Sequence, residues 1–167
     1  MGSLCGWANA DEIFVARGAC PGEGCVYGEQ WVVREPIELH SSPSESSEVV
    51  GTLAPQDHVE TLTGEVHTRP GRFVVKQVRG AFQPGDVLLL YTYLGEGWYR
   101  MRHEGALGRA DLGFSPWDKR CQSREDRRCW GTLERKLQFW WWVKVRAPSG
   151  LEGWVLDSRS FEKPGAH

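Results

Sequence analysis

Residues 139–157, FWWWVKVRAPSGLEGWVLD, dictate a β-hairpin. Phe139, Trp141, Val143 and Val145 alternate with Trp140, Trp142, Lys144 and Arg146, the period-2 pattern of a half-buried strand. Ala147-Pro148-Ser149-Gly150 is a turn: proline presets φ at the first central position, and glycine suits the fourth. Leu151 to Leu156 returns as the partner strand. The first face is wholly apolar and is expected to meet a core. The second sets Trp140 and Trp142 beside Lys144 and Arg146. Indoles on a charged face are a candidate binding surface.

The hairpin has an echo. WYRMRHEGALGRAD at 98–111 aligns with WVKVRAPSGLEGWVLD at 142–157. Trp98 falls on Trp142, Arg100 on Lys144, Met101 on Val145, Arg102 on Arg146, Gly108 on Gly153 and Asp111 on Asp157. The first copy is expected to turn through a three-residue loop, His103-Glu104-Gly105, with glycine where φ is positive. An internal repeat that reproduces both an alternation and its turn outweighs any single residue.

These two segments, Trp-x-Lys/Arg-apolar-x followed by a turn, a glycine and a strand, resemble the second half of a bacterial Src-homology-3-like (SH3-like) domain. The run PIELHSSPSESSEVVGTLAPQDHVETL at 36–62 resembles the first half: a strand, a Ser/Pro loop, VVGTL, and a turn into another strand. The resemblance implies an all-β protein of two small SH3-like barrels in tandem, the second abbreviated, and the cysteines add a disulfide-closed N-terminal loop. The implied division is an N-terminal extension with the cysteine loop (1–30), a first barrel (31–111), a second barrel (112–157) and a frayed tail (158–167). Three features depart from the family. His40 stands where an arginine is common, residues 64–84 are longer than the usual connection, and the second copy lacks a first half.

Nine tryptophans in 167 residues need a use, and large aromatics either build small cores or line surfaces that stack on ligands. Net charge is −2, which implies no general attraction to nucleic acid or anionic membranes. No apolar run approaches the ~20 residues of a membrane span. Ala8-Asn9-Ala10 is an A-x-A pattern of the kind a signal peptidase cuts; the alternative is a coincidental alanine pair. The cysteines favour cleavage near Ala10. It would remove Cys5 and leave Cys20 with Cys25 and Cys121 with Cys129, two close pairs suited to disulfides in a periplasmic or secreted protein. The rival is a four-cysteine zinc site, but C-x4-C with C-x7-C departs from knuckle spacing.

No catalytic signature is present. The histidines at 40, 58, 67, 103 and 167 form no metal spacing, and neither a G-x-S-x-G elbow nor a phosphate loop occurs. Domains of the resembled family often accompany cysteine peptidases, which need a thiol at a helix start with a partner histidine. Cys20 and Cys121 lie in loops and fit neither role. No enzyme activity, cofactor or resident metal is expected. Arg120, Arg124, Arg127 and Arg128 are interleaved with Asp118, Glu125 and Asp126, a solvated face rather than a nucleic-acid site.

The aromatic face is the sharper candidate. Trp98, Trp140 and Trp142 with Arg100, Arg102, Lys144 and Arg146 suit a ligand that offers apolar or sugar faces and a carboxylate. Peptidoglycan or a peptide segment has such groups. The resemblance implies that the hairpin tryptophan lines a groove with the loop after the first strand, here His40 to Ser47. The alternative is that Trp98 and Trp142 cover the seam between two barrels. Three functions follow as expectations: a cell-envelope binding module, an inhibitor or immunity protein that blocks a partner enzyme with loop 64–84 or 118–130, or a structural envelope component.

Overall fold

The computed structural model describes residues 12–22 and 25–165, and every helix or strand among them is a strand. The first five are β1 (Phe14–Arg17), β2 (Gln30–Val33), β3 (Ile37–His40), β4 (Val49–Leu53) and β5 (His58–Arg69). Then come β6 (Gly71–Val75), β7 (Val87–Gly95), β8 (Trp98–His103), β9 (Ala106–Asp111) and β10 (Gly131–Arg135). The last are β11 (Gln138–Arg146), β12 (Glu152–Leu156) and β13 (Phe161–Glu162). The all-β expectation holds, and no helix is long and apolar enough to cross a membrane. Cys5 and the Ala8–Ala10 pattern lie outside the described residues.

The chain forms two units, one nested inside the other in sequence. The inserted unit comprises residues 68–139 with 12–14; the host unit comprises 15–67 and 140–165 among the described residues. The division falls within β5 and within β11. The expected consecutive split, 31–111 then 112–157, is not the one observed. Strands from 36–62 find their partners in the second hairpin: Trp154 on β12 pairs with His40 on β3, and β5 neighbours β11. The first hairpin, 98–111, instead pairs with β7 in the other sheet. The reason is physical. Alternation specifies that a ribbon forms and which face it buries, but both ribbons carry the same alternation, so it does not say which distant edge each joins.

The host unit is organised on the sheet order β13-β2-β5-β11-β12-β3-β4, with β1 on β5. Val143 and Val145 are fully buried, as their face requires, with Val33, Val59 and Val155. Trp141 meets Trp31 edge-on at 5.4 Å, and Phe161 lies 5.4 Å from the same Trp31 ring. That contact corrects the expected free tail: β13 pairs with β2, and Lys163 caps both indoles at 4.9 and 5.0 Å while bonding Asp157. Cation–π contacts of this kind add to the burial of the aromatic rings. A short polar chain also ties the N-terminal loop down. Trp141 Nε1 donates to the Tyr27 hydroxyl at 3.0 Å, which donates to the Ala19 carbonyl at 2.6 Å.

The inserted unit is a five-stranded antiparallel sheet, β10-β6-β7-β8-β9. Tyr99 and Met101 point inward onto Phe73, Leu88 and Leu90, and segment 112–130 folds over them with Phe114 and Trp130. Pro70-Gly71 is a turn signal, and Pro70 is where the strands break: β5 runs to Arg69 and β6 begins at Gly71. Both expected disulfides form, Cys20–Cys25 and Cys121–Cys129, with Cα separations of 5.8 and 5.5 Å. All four sulfurs are thereby bonded, which leaves no thiolate for the four-cysteine zinc alternative. Cys121 and Cys129 are buried in the inserted core, so this bridge also packs.

Tyr99 is fully buried, and its hydroxyl has no hydrogen-bond partner among the described residues. Burial pushes its pKa well above the ordinary value of 10.0, with Tyr93 and Asp118 adding in the same direction. A tyrosine that ionises more readily when unfolded favours the unfolded chain once pH rises above that ordinary value. Stability is therefore expected to be flat in this group below about pH 10 and to fall above it. Tyr99→Phe should blunt that alkaline loss while changing stability near neutrality by less than about 1 kcal/mol. Denaturant titrations of both proteins at neutral and alkaline pH test it; equal alkaline losses would contradict it.

Candidate functional site

The host-unit hairpin presents a face assembled by register. Ala147 N donates to Leu151 O, and Gly150 N to Ala147 O, closing the turn where expected. The strands then pair Trp142 with Leu156, Lys144 with Trp154 and Arg146 with Glu152. Trp154 in turn lies opposite His40. Lys144, Trp154 and His40 thus form one row across three strands, and facing positions in register share a side of the sheet.

His40 positions the row's neighbour. Its ring meets Trp142 edge-on at 5.7 Å. Its Nδ1 lies 3.4 Å from Ser47 O, at the far end of the serine loop. That loop is held by its own hydroxyls. Ser47 Oγ sits 2.7 Å from Ser44 O and 3.0 Å from Ser42 O, and Ser44 and Ser46 hydroxyls are 2.9 Å apart. A loop fixed this way presents its groups with little ordering left to do on binding.

Trp142 corrects the sequence expectation. It is only 5% exposed, not displayed to solvent. Trp140 is half-buried, and Trp141 is buried on the other side. The middle of β11 is covered on both faces, and a period-2 pattern with tryptophans on both faces carries no sign of which indoles are covered. Trp154, half-buried at the centre of the row, was missed. The Ala147–Gly150 turn fixes the hairpin register and would have placed it opposite Lys144.

The two cations of this face are paired. Arg146 bonds Glu60 at 2.8 Å and Glu152 at 2.9 Å, and Lys144 reaches the other Glu152 oxygen at 3.2 Å. Arg146, then Lys144, holds the Glu152 carboxyl below its usual range, and Glu152 with Glu60 raises Arg146. Depression of an acid adds stability above its ordinary pKa, lost as pH falls through the folded value. The groups are exposed, so the contribution is small. Two cations and two carboxylates leave the face close to neutral.

The other expected site residues belong to the inserted unit. Trp98 is 44% exposed, and Arg100 is exposed beside it on the same face. Arg100 lies directly opposite Arg109, a like-charge pairing. Arg102 lies over the Tyr91 ring at 5.7 Å, and Tyr91 stacks on Phe14 at 4.6 Å. The eight expected residues therefore divide. His40, Trp140, Trp142, Lys144 and Arg146 are in the host unit; Trp98, Arg100 and Arg102 are in the inserted one.

The 118–130 segment is held by ion pairs within itself and to β10. Arg120 bonds Asp118 at 2.6 Å, Arg128 bonds Asp126 at 2.9 Å, and Arg124 approaches Glu134 at 3.7 Å. Asp126 also accepts from Cys121 N and Arg128 N. Its carboxyl is held far below the usual range, chiefly by the Arg128 hydrogen bonds. Three of the segment's cations are thus paired, as on a solvated face. No protein-family model, curated protein or solved structure matches the chain.

Proposed function

We propose that the protein is a non-enzymatic recognition module of the cell envelope, and that the host-unit face binds peptidoglycan or a peptide segment. The observation that carries this reading is the Lys144–Trp154–His40 row, backed by Trp142 and edged by the ordered serine loop. Trp154 offers a ring face to an apolar or sugar group. Lys144 offers an ammonium to a carboxylate. Its pairing with Glu152 is a surface ion pair worth about 0–1 kcal/mol, so a ligand carboxylate displaces it at small cost while Arg146 keeps Glu152 neutralised.

The resemblance to bacterial SH3-like domains attaches to the host unit in this reading. Its two halves, 36–62 and 142–157, are the segments that pair across β3 and β12. Two disulfides fit an oxidising compartment, periplasmic or secreted. Cosedimentation with purified cell-wall sacculi tests the proposal. Retention of the wild-type chain and roughly 10-fold weaker binding of both Trp154→Ala and Lys144→Ala are expected. Wild-type retention by both variants would contradict it.

A second reading is supported by one feature. The disulfide between Cys121 and Cys129, with Asp126 at its centre, presets loop 118–130 as an inhibitor or immunity protein would require. The 64–84 alternative loses its basis, because much of that segment is β5 and β6. A tight complex with a hydrolase that survives Trp154→Ala would favour this second reading.

A further inference from the structure

The tip of the β8–β9 hairpin places chemistry that no sequence spacing reveals. Glu104 and Gly105, at φ of 48° and 81°, form a two-residue turn, and His103 pairs with Ala106. The loop is thus one residue shorter than the three expected, because a primed turn with two positive φ values matches the twist of the flanking strands. His103 is consequently a strand residue with a fixed backbone. Across from it, Asp86 ends the turn that leads into β7.

We propose that Asp86, His103 and Glu104 bind one divalent transition-metal ion of the zinc class. One donor atom from each residue lies within 4.8 Å of the other two. His103 Nε2 and Asp86 Oδ2 are 3.0 Å apart. Two donors at about 2.1 Å from a shared ion, at octahedral to tetrahedral angles, are about 3.0–3.4 Å apart. The widest pair in the set lies within 4.8 Å, so bringing it to the tetrahedral separation needs about 1.4 Å of movement at most. Glu104 is exposed at the tip and free to supply it.

The ordinary alternative is a histidine–carboxylate hydrogen bond, and the local geometry disfavours it. His103 Nε2 is shut off from solvent yet makes no hydrogen bond, despite its closeness to Asp86. Asp86 Oδ2 accepts from Gln83 N at 2.9 Å and keeps a second lone pair for an ion. That bond fixes the carboxylate, and Phe82 fixes the imidazole, meeting it edge-on at 5.2 Å. Two donors are therefore held in place by contacts of their own, the condition for a site that does not have to be assembled by its ion. An imidazole with two carboxylates neutralises a divalent ion, and the mixed nitrogen–oxygen set suits zinc or cobalt over calcium or magnesium. Three protein ligands leave at least one coordination position open.

Zinc and cobalt titrations of the full, disulfide-bonded chain test the site. Calorimetry with Zn²⁺ alone is expected to show one equivalent bound, and Co²⁺ to show visible d–d absorption that Zn²⁺ abolishes. Glu104→Gln, at an exposed turn, is expected to leave metal-free thermal stability unchanged and to weaken binding at least ~10-fold. His103→Gln is expected to abolish the cobalt spectrum. Absence of stoichiometric uptake by the wild-type chain would overturn the proposal. So would uptake that both variants retain, which would assign the ion to other histidines.

Discussion

Trp142→Ala is expected to destabilise the protein by about 3–5 kcal/mol, whereas Trp98→Ala should cost less than about 1 kcal/mol. The two tryptophans align in the internal repeat, yet one is 5% exposed and the other 44%. Truncating Trp142 removes the His40 contact and leaves a cavity in the middle of β11, and a cavity adds to the lost transfer energy. Truncating Trp98 removes a side chain that is already nearly half hydrated. Chemical denaturation of the two variants checks the contrast. Equal midpoints would mean that Trp142 is not sealed. The result also bears on binding, since loss of ligand in Trp142→Ala would report unfolding as much as recognition. Trp154 and Lys144 are the cleaner probes.

Gly64→Ala is expected to destabilise the host unit by about 2–4 kcal/mol. A Cβ at this position would run into the Tyr27 hydroxyl and lie 2.8 Å from both Trp141 Nε1 and Trp142 O. The clash is with the hub of the Trp141–Tyr27–Ala19 chain. Overpacking costs about 1–3 kcal/mol, and a broken buried hydrogen bond adds about 1 kcal/mol. The backbone at Gly64 cannot yield easily, because its carbonyl accepts from Gly18 N at 2.7 Å. Tyr27→Phe in the same background separates the two contributions: it should cost only the hydrogen-bond share and should leave Gly64→Ala partly relieved. A thermal midpoint for Gly64→Ala equal to wild type would show that the close approach is absent.

Much of the local structure was legible. The alternation at 139–146 placed Val143 and Val145 inside, the Ala-Pro-Ser-Gly run placed the turn, and the cysteine spacing placed both bridges. What was not legible is non-local. Nothing in 36–62 says that its partner lies at 152–156 rather than at 106–111, because the two hairpins carry the same pattern and edge choice depends on the whole core. The same limit hid the proposed metal donors. Asp86 and His103 are far apart in sequence, with no spacing motif between them, and only the pairing of β7 with β8 brings them together. Trp142 was misplaced for a different reason: tryptophan suits a core and a binding surface alike, and alternation assigns it a side but not its cover.

The electrostatics of the face bear on the proposed ligand. Four unpaired cations would favour any polyanion. Arg146 is committed to Glu60 and Glu152, and only Lys144 has a single, shared acidic partner. In the proposed function, recognition would depend on shape and on one carboxylate contact, which suits a short peptide stem better than a densely charged polymer.

The most direct measurement follows the tryptophan indole N–H resonances while a peptidoglycan stem peptide is added to the isotope-labelled chain. Selective perturbation of the Trp154 resonance, with Trp98 and Trp117, both exposed in the inserted unit, unmoved, is the predicted result. Perturbation confined to Trp98, or to none of the indoles at saturating peptide, would contradict a binding face built on the Lys144–Trp154–His40 row.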